Sequence, residues 1–201
     1  RTESYLRAIR GRRIFKTHSF PAVFDVPSLK YVSISRDPRD VLVSASFYLA
    51  KLDPERGGWG SEFQDLSVRE RIVALLERGD FLYQRLDAWF RFEAAVQVRY
   101  EDLLARPEEE LTRVVRHLGI EVSDEIIAAA VERHTFERLA KQDKQRIAGF
   151  YRKGTKGDWR NHFDQATVDR FKCADGGRWN RLLLDMGYEK SGDWVNPSPT
   201  E

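Results

Sequence analysis

Apolar residues along this chain alternate between short strand-like runs and longer stretches at helical spacing. "RIF" at 13–15 and "KYVSIS" at 30–35 predict short buried strands, the second alternating and rich in β-branched and aromatic residues. Residues 38–50, "PRDVLVSASFYLA", predict a helix with Pro38 suited to its first turn. Val41, Ser44, Ala45 and Tyr48 share one face of it. The glycines and charges of 52–65 predict a loop. "VRERIVALLERG" and "FLYQRLDAWFRF" predict helices on either side of Gly79, and "AAVQVRYEDL" a strand followed by a turn. "PEEELTRVVRHLGI" predicts a helix with proline and acids at its start, where the helix dipole favours them. Leu111, Val114, Val115 and Leu118 form its apolar stripe. "SDEIIAAAVERHTFERLAKQ" reads as mostly helical with Ser123 as N-cap. "DQATVDRF" and "GRWNRLLLDMGY" read as helix interrupted near Gly176 and Gly177, and the tail "NPSPTE" as frayed.

Strands alternating with helices predict an α/β fold with a central, mainly parallel sheet flanked by helices. With 201 residues and no internal repeat, one domain covering 1–201 is expected. Such sheets bind ligands beyond the carboxyl ends of their strands, so the residues that follow each strand carry the functional reading.

Charge changes the picture only locally. The 34 basic and 32 acidic residues nearly cancel, so nucleic acid is not an expected partner, and any anion site must be built from a few placed cations. The single cysteine, Cys173, permits no intrachain disulfide and favours a reducing compartment, most simply the cytoplasm. No apolar run reaches membrane-spanning length, and no signal peptide is visible at Arg1.

Lys16, Thr17 and His18 follow "RIF"; Arg36 follows "YVSIS", with Ser44 eight residues on; Arg99 and Tyr100 close "VQVRY". This is an anion-binding inventory with a titratable base in it. A second cluster lies in "RKGTKGDW", 152–159, where Arg152 and Lys153 run straight into Gly154. Taken singly, each residue has an ordinary alternative. His18 reads as a surface histidine, Lys16 as a solvated strand-end cation, and Arg36 as a partner for Asp37 or Asp40. Ser44 reads as a small helix residue, Tyr100 as a core-edge ring, and Arg152 with Lys153 as a solvated pair. Their fixed order along one chain argues for more.

That order resembles the cytosolic-type sulfotransferases, which use 3′-phosphoadenosine-5′-phosphosulfate (PAPS) as sulfuryl donor. The resemblance rests on "KTHSFP", "SRDPRDVLVSASFY", "VRYEDLLARPEEEL", "HTFERLAK" and "RKGTKGDWRNHF", which together span 16–163. It implies the P-loop nucleoside-triphosphate-hydrolase-like α/β fold of that family, related to kinases. It implies that Arg36 and Ser44 hold the 3′-phosphate from one side, with Arg152, Lys153 and Gly154 on the other. Guanidinium, ammonium, hydroxyl and a glycine-permitted backbone approach suit a phosphate. By the same resemblance Tyr100 and Phe136 lie against the adenine with Thr135 nearby. His18 is the general base towards an acceptor hydroxyl or amine, and Lys16 steadies charge on the sulfuryl group. The product is adenosine 3′,5′-bisphosphate (PAP), and no metal is called for. Phe20, Phe24, Trp59 and Phe150 are candidates for an apolar acceptor pocket, or equally for ordinary packing. The 52–65 loop is a candidate lid.

Two departures qualify the resemblance. The family's first strand leads into a loop resembling "PKSGT" that wraps the 5′-phosphosulfate, upstream of "KTH". The fifteen residues before Lys16 contain one glycine, Gly11, and no such loop, nor does GxxxxGK[ST] occur elsewhere. The expectation is an N-terminally incomplete version of a longer protein. The alternative is a non-catalytic relative that binds PAP-type nucleotides or a protein partner. A small-molecule kinase is disfavoured by the same absence and by the lack of a Mg²⁺-holding pattern. In "RNHFDQATVD", Asp164 and Gln165 stand where many relatives carry the Thr-Val of a dimer motif, so that dimer is not expected and the oligomeric state stays open.

Overall fold

The computed structural model describes residues 14–24, 29–52, 61–135, 138 and 154–196. In chain order, a 3₁₀ turn at Pro21–Phe24 leads to strand β1 (Tyr31–Ser35) and helix α1 (Pro38–Leu49). Then come α2 (Glu62–Asp65), α3 (Val68–Arg78), α4 (Asp80–Phe90) and strand β2 (Ala95–Arg99). Helices α5 (Tyr100–Ala105), α6 (Pro107–His117) and α7 (Asp124–Arg133) follow, then a 3₁₀ turn at Asp158–Asn161 and α8 (Gln165–Asp185). Strands β1 and β2 pair in parallel from Tyr31 opposite Ala95 to Ser35 opposite Arg99, so they end level. A parallel pair needs a long crossover, and the chain between these strands supplies one that contains α1 to α4.

Three expectations change. Glu62–Asp65, expected as the end of a loop, form the short helix α2, which buries Phe63. Ile14 and Phe15 of "RIF" form no strand; they are 91% and 52% exposed, because a strand needs a ladder partner and these residues find none among the described residues. The turn expected after β2 is a short helix, α5, with Glu101 and Asp102 in its first turn, where acids favour helix initiation.

The chain divides into two compact units. The first comprises the residues up to Ser35 together with Phe81–Val122. Its packing centres on Ala95 and Val98 of β2 and on an edge-to-face pair, Tyr31 with Phe92, whose ring centroids are 5.0 Å apart. The Gln97 side chain donates to the Trp89 carbonyl (2.8 Å) and fixes the end of α4 against β2.

The second unit comprises Arg36–Asp80 and Ser123–Glu201. Here α3 packs against both α1 and α8. Leu42, Val43, Ile72, Leu75, Val168, Phe171, Trp179, Leu182 and Leu183 are wholly enclosed. Helix α1 therefore buries Leu42, Val43 and Ser46, while the face bearing Ser44 and Tyr48 stays open. Ser123 stands at the N-cap position of α7 without a side-chain cap bond, whereas three other helices are capped by side chains. Asp37 caps α1 by accepting the Arg39 N–H, Ser67 and Glu70 form a reciprocal capping box on α3, and Asp164 caps α8 through the Thr167 N–H. The interruption expected near Gly176 and Gly177 is present. Asp175, Gly176 and Gly177 all adopt positive φ, splitting α8 into two helical segments.

Candidate functional site

Within the second unit Arg36 and the loop that begins at Gly154 meet at the start of α1. Arg36 directly follows β1, and its guanidinium Nη2 donates to the Thr155 carbonyl at 2.9 Å. The same nitrogen lies 3.4 Å from Asp40 Oδ2, one helical turn on. The local ion pair is therefore present, and it does not stand alone. Asp40 Oδ2 also accepts the Gly157 N–H at 2.7 Å, and Oδ1 accepts the Trp159 N–H at 2.9 Å. The glycine loop is thus fastened to α1 through one carboxylate. Burial pushes the Asp40 carboxyl above its usual range, and the Gly157 amide bond, the Arg36 charge and the Trp159 amide bond pull the other way.

The loop's backbone explains its glycines. Gly154 has φ +62° and Gly157 φ +77°, the left-handed region that other residues enter at a cost. A Cβ on Gly157 would also come within 2.6 Å of Arg160 Nη1. Ser44 lies eight residues beyond Arg36 and four beyond Asp40, at helical spacing for one face, and is exposed. Thr135, just past the end of α7, is half-buried.

Beneath the loop lies a clamp that sequence reasoning missed. The Arg39 side chain is 2% exposed and makes paired bonds to Asp37, the shortest at 2.7 Å, and a further bond to Glu189 at 2.7 Å. Its guanidinium carbon sits 3.8 Å from the Trp159 ring centroid and 4.6 Å from that of Trp194. Asn196 Nδ2 donates to the Arg160 and Phe163 carbonyls, at 2.9 and 2.7 Å. Residues 189–196 thus brace the turn at Asp158–Asn161, in which Trp159 is buried. The signal for Asp40 was available in principle: Asp40 follows Arg36 by four residues, and Ser44 follows Asp40 by four along α1. Nothing local announces that Arg39 meets Trp194.

Within the first unit, Lys16 and His18 are exposed, and the Thr17 hydroxyl accepts the Ser19 N–H at 2.9 Å. The Trp89 indole N–H donates to the Ser19 carbonyl at 2.8 Å, pinning the segment just after His18 to α4. Phe20 stands at the surface near the Arg85 guanidinium, 6.0 Å from ring centroid to Cζ. Tyr100 begins α5 directly after β2 and is half-buried. The side chain of Phe24, and Trp59, Phe136, Phe150, Arg152 and Lys153, lie outside the described residues. No cluster of three or more His, Cys, Asp or Glu suited to a metal occurs among the described residues, and none of their helices is long and apolar enough to cross a membrane.

Comparison with known proteins shows the family and the fold. A family model described as "Sulfotransferase domain" matches residues 2–174. Sulfotransferase 1C2 of Rattus norvegicus is 27% identical over 185 residues, which cover 82% of this chain and 60% of that protein. Sulfotransferase 1A1 of Rattus norvegicus is also 27% identical, over 79% of this chain and 60% of its own length. The chain thus spans about 60% of the length of these curated relatives. Among solved structures, mouse sulfotransferase SULT7A1 complexed with PAP superposes with a TM-score of 0.66 at 20% identity, covering 92% of this chain and 73% of that one. Retinol dehydratase in complex with androsterone and inactive cofactor PAP gives a TM-score of 0.64 at 24% identity, covering 96% of this chain and 58% of its own. These likenesses establish the α/β sulfotransferase fold. With most of its length matched by the family model, the chain belongs to the sulfotransferase domain family.

Proposed function

We propose that this protein transfers a sulfuryl group from PAPS to a hydroxyl or amine of a small-molecule acceptor. The observation that carries the reading is the fastening of Arg36 to the glycine loop through the Thr155 carbonyl and the Asp40 carboxylate. A cation held against a glycine-shaped backbone is the donor set a phosphate dianion requires. In this reading Arg36, Ser44, Arg152, Lys153 and Gly154 hold the 3′-phosphate, and Tyr100, Thr135 and Phe136 receive the adenine. His18 takes the proton of the acceptor as its oxygen or nitrogen bonds to sulfur. The sulfur–oxygen bond to the 5′-phosphate breaks in line, and PAP leaves with the bonding pair. Lys16 balances the charge on the moving group. Phe20, Phe24, Trp59 and Phe150 form the apolar side of the acceptor site.

The test is calorimetric titration of the 201-residue chain with PAP beside Arg36→Ala and Arg152→Ala, followed by sulfuryl transfer assays with His18→Ala. The reading expects PAP binding that drops about tenfold or more in each arginine variant, as loss of a charge-assisted contact entails. It also expects that His18→Ala binds PAP normally and turns nothing over. Binding without transfer to any phenol, alcohol or amine would favour a non-catalytic nucleotide-binding relative. No binding by the folded chain would refute the donor assignment.

A further inference from the structure

A carboxylate beside an anion seat is unfavourable unless its lone pairs are already engaged. Asp40 is such a carboxylate, with its side chain fully enclosed. Its Oδ2 takes the Gly157 N–H and faces Arg36, and its Oδ1 takes the Trp159 N–H. Two consequences follow. The amides of Gly157 and Trp159 point at Asp40, so they are not phosphate ligands. The same carboxylate fixes both Arg36 and the loop that begins with Gly154, although 117 residues separate Asp40 from Gly157.

We propose that Asp40 is a positioning residue for 3′-phosphate recognition: it touches no substrate atom, and it sets the distance between the Arg36 guanidinium and the glycine loop. The proposal rests on the donor reading above and adds the residue that makes the enzyme discriminate a 3′-phosphorylated nucleotide from an unphosphorylated one. Asparagine cannot replace it. A carboxamide at this position would offer one acceptor oxygen, and its N–H groups would confront whichever loop N–H lost its partner. Arg36 would also lose its charged neighbour and, with it, its fixed direction.

The experiment compares PAP with adenosine 5′-phosphate, which lacks the 3′-phosphate, on the wild-type 201-residue chain and on Asp40→Asn. The wild type should bind PAP more tightly. In D40N, PAP affinity should fall about tenfold or more, towards that of the monophosphate, while monophosphate affinity stays unchanged. A merely structural role would weaken both ligands alike or lower the binding-competent fraction. Should D40N not fold, amide exchange of the wild type over 154–159 replaces it. PAP at saturation should slow exchange at Gly157 and Trp159, and adenosine 5′-phosphate should not. Equal effects of the two nucleotides there would overturn the proposal. A wild type that does not distinguish the two nucleotides would overturn the donor reading and this proposal together. A wild type that distinguishes them, with D40N keeping the same ratio, would overturn the role of Asp40 alone.

Discussion

Removing Arg39 tests whether the clamp beneath the loop is an energetic unit. In Arg39→Met much of the aliphatic stem is retained and the guanidinium against Trp159 and Trp194 is lost. What remains is the Asp37 carboxylate, 8% exposed, deprived of bonds at 2.7 and 3.0 Å while its cap bond to the residue-39 N–H survives. Breaking a buried pair by deleting one partner costs about 3–5 kcal/mol, because the other charge stays buried. The retained cap bond and the partly exposed Glu189 place this case at the lower end, about 3 kcal/mol. For a chain of this size that lowers Tm by about 6–12 °C. Urea unfolding followed by tryptophan fluorescence measures it, since Trp159 and Trp194 both stack on the guanidinium. Asp37→Asn and the double variant complete a cycle, with an expected coupling of about 1.5 kcal/mol or more. A loss below about 1 kcal/mol in R39M, with single effects that add within about 0.5 kcal/mol, would refute the idea that the cluster acts as one unit.

Asp164→Ala removes the α8 cap and should cost about 1 kcal/mol at neutral pH. The Thr167 hydroxyl and N–H hold the Asp164 carboxyl below its ordinary 3.8, so the wild-type advantage is fully present above that value and disappears as pH falls through the lowered one; thermal melts across acid pH check this. Asp40 behaves oppositely. Burial, helped by the Asp37 charge, raises its carboxyl above 3.8 against the pull of the Gly157 amide, Arg36 and the Trp159 amide, so the pH-linked advantage of the protonated form is fully present below 3.8 and lost as pH rises through the raised value. The amide resonances of Gly157 and Trp159 should therefore titrate together above pH 3.8, and titration at or below 3.8 would mean that the two amide bonds and Arg36 outweigh burial.

The parts of the fold legible in the sequence were those encoded locally. Pro38, Gly79, Pro107 and the Gly176–Gly177 pair mark helix boundaries or breaks because their backbone preferences act within a turn or two. "RIF" failed because strand formation is decided by a partner strand, which no run of three residues specifies. The face of α1 that carries Ser44 looked no different from the one that carries Leu42, since which face is covered depends on α3 and α8. At the site, Arg36 and the glycines of 154–157 announced themselves by residue type. The bonds that join them, from Arg36 to Thr155 and from Gly157 and Trp159 to Asp40, cross more than a hundred residues, and pairings of that span leave no periodic trace. Asp164, read as a departure from a dimer motif, has a plain local role as the cap of α8.

The clamp also sets an order of assembly. During synthesis the glycine loop emerges first, and the residues that brace it come later. Asn196 follows Trp159 by 37 positions, which at about 5–20 residues per second take about 2–7 s to translate. For most of that interval Arg39 has no Glu189 to meet, and the Trp159 indole has no Trp194 against it. A nascent chain therefore holds the glycine loop without its brace, and the turn at Asp158–Asn161 takes its final packing only when residues 189–196 have emerged.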